Sequence, residues 1–193
     1  MEKERLAAFM DAVLAIIMTI LVLELPKPET VSFQEIWNMR MTYFCYTLSF
    51  FWLGTMWVHI HSEWQQIVRI SQSVVWWGVI LLFCSSWIPY SISLVNEDPH
   101  NVAGQVFYGV AVFLVTFANV ALSHAVEKCH DEADEADVKA QIVMRRKKLY
   151  PDIAIKVIGM ILTVTVFPMA ISYAVLITMV WMLISFPRVD KQV

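Results

Sequence analysis

The sequence predicts an all-α, polytopic membrane protein with six transmembrane helices. Three observations predict it. Of the 193 residues, 59% are hydrophobic and only 16% charged; mean hydropathy is +0.60; and the apolar residues gather in runs of roughly 20, the helix length that a hydrocarbon core about 30 Å thick requires. Soluble domains run at about 45–50% apolar and about 25% charged. The eight Trp and eleven Phe suit interfacial belts and lipid-facing surfaces. A net charge of −3 and a pI near 5.9 give no basic patch, so nucleic acid is not an expected partner. The whole chain, 1–193, reads as one transmembrane unit with no soluble domain left over.

The first span covers 6–25. Its basic start resembles a secretory signal, but Asp11 interrupts the apolar run, no small-residue cleavage site follows, and Pro26 and Lys27 end it, so it reads as an uncleaved helix. The second, third and fourth spans cover 41–60, 74–95 and 102–126. The last apolar stretch, 153–186, is too long for one crossing and just long enough for two short ones. The break is expected at Phe167-Pro168-Met169, because proline lacks a backbone donor and disfavours helix at the residue before it. That gives spans 153–168 and 170–186, with a linker at 127–152.

Charge sets the direction. With six spans, Lys3, Arg5, Arg69, Lys128, Lys139, Arg145, Arg146, Lys147, Lys148, Arg188 and Lys191 fall on one side. Only Lys27 and Arg40 fall on the other, among Glu29, Glu35, Glu97 and Asp98. Lys and Arg collect on the cytoplasmic side, so both termini are expected in the cytoplasm and the chain in the cell membrane. Residues 130–148 pass from an acidic half to a basic half and read as a solvated helical extension, its basic end near anionic headgroups. Neighbouring residues such as Cys129, His130, Asp131 and Glu132 do not converge on one ion from a helix. No resident metal and no cofactor is expected. Cys45 and Cys84 lie in apolar runs and Cys129 in a polar stretch, which does not make a disulfide framework.

The first helix has two unlike faces. At about 100° per residue, Ile16, Ile20 and Leu23 lie within roughly 60° of one another, Phe9 and Val13 extend the stripe inward, and Thr19 borders it. Asp11 lies about 140° from Ile16 by the same arithmetic. A carboxylate in a membrane costs at least about 2.5 kcal/mol on insertion scales, so it should face protein and have partners. Arg5 is off the i, i+3 and i, i+4 positions of a direct pair. The end of the second span, W-V-H-I-H-S-E-W, and the start of the third, V-W-W, reach the same level, so His61 and Trp76 are the expected donors to Asp11. His59 points to another face, His124 is an interfacial residue, and Lys156 near the start of the fifth span should snorkel to the headgroups.

At these residues the chain resembles a known family. R-L-A-A-F-M-D, with Arg5, Phe9 and Asp11, is similar to the R-x-x-x-F-S-D motif that opens the first helix of the endosomal and lysosomal potassium channels of the transmembrane protein 175 family and their prokaryotic relatives. The continuation A-V-L-A-I-I-M-T-I-L-V-L-E-L, the late histidine of the second span and the run from Leu81 to Tyr90 are similar as well. Met10 stands where the motif has serine, and Gly78 where a polar residue is expected after the tryptophan. The resemblance implies a potassium-selective channel of moderate selectivity in a prokaryotic membrane: a homotetramer whose four first helices line a central pore. It implies Ile16, Ile20 and Leu23 as the pore constriction and Thr19 as a selectivity residue. Arg5, Phe9, Asp11 and His61 then form an inner structural network, with Trp76 beside them, and potassium ions and the bilayer are the partners.

Other mechanisms fit less well. The chain has no T-V-G-Y-G carbonyl filter, so selection must come from an apolar neck that penalises the more tightly hydrated ion. A proton-permeable channel or proton-coupled transporter using Asp11 and His61 is the alternative, since intramembrane ionisable groups also mark such pathways. There is no clear internal repeat of the transporter kind. With no G-x-S-x-G and no H-E-x-x-H, the chain is not expected to be an enzyme.

Overall fold

The computed structural model describes residues 2–67, 70–129, 140, 143–144, 147 and 149–185. The readings of Arg69, of most of 130–148, and of Phe186, Arg188 and Lys191 lie outside them. The described residues form seven α-helices: α1 (Lys3–Ile20), α2 (Phe33–Asn38), α3 (Arg40–Gln66), α4 (Gln72–Glu97), α5 (Val102–Lys128), α6 (Leu149–Thr165) and α7 (Ala170–Ser185). A 3-10 segment, Leu21–Glu24, continues α1. Among the described residues, three stretches are long and apolar enough, by length and composition, to cross a membrane: Lys3–Glu24, Gln72–Glu97 and Val102–Lys128.

The helix ends follow from local chemistry. Ser71 caps α4 by accepting from the amide of Val74, and Asn101 caps α5 by accepting from those of Ala103 and Gly104. Pro151 falls in the first turn of α6, where a backbone donor is not needed. Between α6 and α7 the chain turns at residues 166–169, with Pro168 inside the turn. The amides of Val166 and Phe167 both return to the carbonyl of Leu162, and Thr163 Oγ1 accepts from the amide of Ile171, 2.8 Å away, so few polar groups are left bare at the bend.

α1 packs on α4 and α3, α4 pairs with α5, and α6 with α7. Gly104 lets the start of α5 approach the end of α4: a Cβ there would lie 3.2 Å from the Leu94 carbonyl oxygen. Short polar contacts fix the interior, among them Ser49 Oγ to Tyr108 Oη at 3.1 Å and Ser172 Oγ donating to Gln105 Oε1 at 2.9 Å. Between membrane helices such bonds are worth about 0.6 kcal/mol each on average, since the separated helices also find partners.

Lys156 corrects the sequence reading. It is 1% exposed and does not snorkel. Its ammonium pairs with Asp152 Oδ2 at 2.7 Å, donates to Thr116 Oγ1 at 2.9 Å and stands 5.1 Å from the centre of the Trp52 ring. The reason is the face of α6 on which it falls: Asp152, Lys156, Gly159 and Thr163 are all buried, at helical spacing along one stripe.

Candidate functional site: the two faces of α1

α1 is divided lengthwise. Leu6, Met10, Leu14, Ile17 and Leu21 recur at spacings of four, four, three and four and are buried against the bundle. Phe9, Ile16, Ile20 and Leu23 are 50%, 57%, 37% and 78% exposed. Two of the seam residues explain how α1 lies so close to α4. A Cβ on Gly78 would lie 3.1 Å from the Met10 sulfur, so the absent side chain is the space that Met10 fills. The two departures from the family motif are therefore a packed pair.

On the flank, Asp11 Oδ1 accepts from Trp57 Nε1 at 2.8 Å, and Asp11 Oδ2 lies 3.9 Å from His61 Nδ1. Trp57 and His61 are one turn apart on α3, their rings 5.4 Å between centroids and tilted by 32°. The carboxylate thus has one hydrogen-bond donor, the indole of Trp57 and not that of Trp76, with the His61 imidazole beside it at ion-pair distance. Trp76 is 60% exposed and lines a separate groove at the start of α4 with Ile70, Ser71, Gln72 and Val75. The physical reason is phase: α4 turns Val74, Gly78 and Leu81 inward, and Trp76 is about 200° from Val74. A residue four before His61 on the same helix was the signal for Trp57.

Asp11, Ala15, Met18, Thr19, Phe50 and Trp57 line a groove of about 430 Å³ between α1 and α3. Thr19 is exposed at the border between groove and stripe, and its hydroxyl donates to the Ile16 carbonyl at 2.8 Å. Its oxygen therefore keeps its lone pairs for an outside partner, as a cation requires. Arg5 is exposed near the same end of the helix as Phe9, and His124 pairs with Glu127 through Nδ1 and Oε2 at 3.1 Å. Among the described residues no group of three or more His, Cys, Asp or Glu side chains is placed to hold a metal.

The stretch from α1 through most of α4 is also the part of the chain that matches a family model, the endosomal/lysosomal potassium channel TMEM175, over residues 5–89. The similarity extends further. A potassium channel of Chryseobacterium sp. (strain P1-3) is 31% identical over 192 residues, covering 99% of this chain and 97% of that one. The chain belongs to the TMEM175 potassium channel family. A second relative, a potassium channel of Chamaesiphon minutus, is 28% identical over a 146-residue alignment that covers 70% of this chain and 72% of that one. The crystal structure of a lysosomal potassium-selective channel TMEM175 homolog from Chamaesiphon minutus shares the fold, with a TM-score of 0.71 at 22% identity over 95% of this chain and 97% of the other.

Proposed function

We propose that this chain is the subunit of a potassium-selective cation channel in a prokaryotic cell membrane, with four copies of α1 around a shared axis and both termini in the cytoplasm. α1, α3, α4, α5, α6 and α7 are the six crossing helices in this reading. One observation carries it: in a member of a potassium channel family, α1 buries its Leu6–Met10–Leu14 face and leaves Ile16, Ile20 and Leu23 exposed at 57%, 37% and 78%. Charged relatives of such a stripe would be out of place against lipid, but apolar ones suit either lipid or a dry neck, and family membership favours the neck.

The mechanism follows from hydration. Rings of Ile16, Ile20 and Leu23 offer no hydrogen bonds, so when narrow they dewet and block ions. When wider they pass ions that have shed part of their water. Potassium sheds water more readily than sodium, and the Thr19 oxygen is placed to replace some of what is lost. Selectivity is real but moderate, because apolar walls penalise dehydration without coordinating a particular radius. Asp11, Trp57 and His61 act as the scaffold behind the neck, with Arg5, Phe9 and Trp76 on surfaces that a neighbouring copy would meet.

Replacement of Ile16 by Asn puts a polar ring into the neck. Planar-bilayer recordings of Ile16→Asn are expected to show a higher sodium-to-potassium permeability ratio and passage of larger cations. An unchanged ratio removes Ile16 from the neck. If flux into liposomes instead saturates and follows an imposed proton gradient, Asp11 and His61 are a relay and the protein is a coupled transporter.

A further inference from the structure

The outer end of α1 is held by a side chain of α4 that has no part in the reading above. Pro26 and Pro28 stand two and four residues beyond Glu24. In a continuing α-helix the Val22 carbonyl would accept from the amide of residue 26, and the Glu24 carbonyl from that of residue 28. Proline has no N–H to give in either place. The two carbonyls find different answers. That of Val22 accepts from the amide of Leu25, three residues on, at 3.4 Å, and the chain winds into the 3-10 segment Leu21–Glu24. That of Glu24 accepts from Asn96 Nδ2 at 2.9 Å, across 72 residues of sequence.

Asn96 is 8% exposed, and its Oδ1 has no hydrogen-bond partner among the described residues. The bond to Glu24 is thus what orients the amide, at the expense of an unmatched acceptor. Its consequence falls on Leu23. A 3-10 helix turns about 120° and rises about 2.0 Å per residue, against about 100° and 1.5 Å for an α-helix. Over the three steps from Ile20, Leu23 is displaced by about 60° around the helix and about 1.5 Å along it. Ile16 and Ile20 lie in regular α-helix below and do not share this displacement.

We propose that Asn96 is a positioning residue for the outermost ring of the neck. By holding the Glu24 carbonyl it keeps the tightly wound turn in place, so that α4 sets the direction of Leu23 independently of Ile16 and Ile20. The proposal rests on the reading of the α1 stripe as pore lining, and its two consequences are measured separately.

The first measurement needs no conduction. Hydrogen–deuterium exchange is followed by mass spectrometry on the purified protein in nanodiscs, natural and with Asn96→Leu, which keeps the volume and removes the donor; Asn96→Ala serves if the leucine variant does not fold. Amides at 23–25 are expected to exchange about tenfold faster in the variant, with those at 6–20 unchanged. Equal protection at 23–25 overturns the anchor. The second measurement uses Leu23→Cys or Ile16→Cys on a Cys129→Ser background, with block of potassium current by a hydrophilic thiol reagent as the readout. Asn96→Leu is expected to change the modification rate at position 23 by about tenfold and at position 16 by less than about twofold. No change at 23, or equal changes at both, overturns the positioning role. Failure of both cysteines to block current while Asn96 is present overturns the pore reading, and with it the ring, while the exchange result still decides the anchor.

Discussion

Met10 and Gly78 show how one site tolerates two departures from its family's pattern. Met10 is 1% exposed and its sulfur occupies the place where a side chain at position 78 would stand, 3.1 Å from the missing Cβ. Neither substitution makes sense alone. Met10→Ser restores the motif hydroxyl but opens a cavity, at a cost of about 2–5 kcal/mol by analogy with methionine truncation in cores. Gly78→Ser crowds the thioether. Together, Met10→Ser with Gly78→Ser refills the space and brings two hydroxyls within reach of each other. The apparent Tm in detergent is expected to fall in each single variant and to recover in the double, with a coupling on the order of 0.5–3 kcal/mol. Additive losses would mean that the two residues do not share the space. The pair was not legible in the sequence, because 68 positions separate its members and nothing local ties a methionine to a glycine.

At the scale of elements, α6 carries an ion pair on its buried face, made through Asp152 Oδ2, while Asp152 Oδ1 has no hydrogen-bond partner among the described residues. Asp152 precedes Lys156 by four residues, the favourable order for a helical pair, and both are at most 1% exposed. Lys156→Met leaves the Asp152 carboxylate buried without a counter-charge, which costs about 3–5 kcal/mol. Adding Asp152→Asn removes the charge that lacked a partner. The expected result is loss of folded protein on size-exclusion chromatography for the single variant and recovery for the double; a stable single variant would show that the pair is not buried as described. Here the limits of sequence reading have a physical cause. Run lengths fix where helices lie, since the bilayer imposes them, and so the apolar runs of α1, α4 and α5 and the bend at Pro168 are visible in the chain. The rotational phase of each helix is set by tertiary packing. That is why Trp76 was expected beside Asp11 where Trp57 stands, and why Lys156 was expected at the headgroups although Asp152, one turn earlier, marked a partner.

The whole molecule poses the question that one protomer does not answer alone. Its first helix has a bundle-facing side from Leu6 to Leu21 and an outward side that includes Phe9, Ile16, Val22 and Leu23, between 48% and 78% exposed. Lipid would cover that side as readily as protein, since tails are as apolar as leucine and supply no hydrophobic drive for helices to meet. What distinguishes the two covers is the flank: Asp11 with 39% of its side chain exposed and His61 with 47% are poor company for acyl chains and suit a protein neighbour or a wet vestibule. The same flank opens into the groove beside Thr19, so burying the stripe between copies would also shelter the carboxylate from lipid. Native mass spectrometry from detergent is therefore expected to give about four times the subunit mass of 22.3 kDa. Asp11→Leu, which removes the polar flank but leaves the stripe, should shift part of the protein to smaller species. A natural protein that is monomeric in both detergent and nanodiscs would leave the fold untouched and end the central pore, because a single α1 cannot enclose a path for an ion.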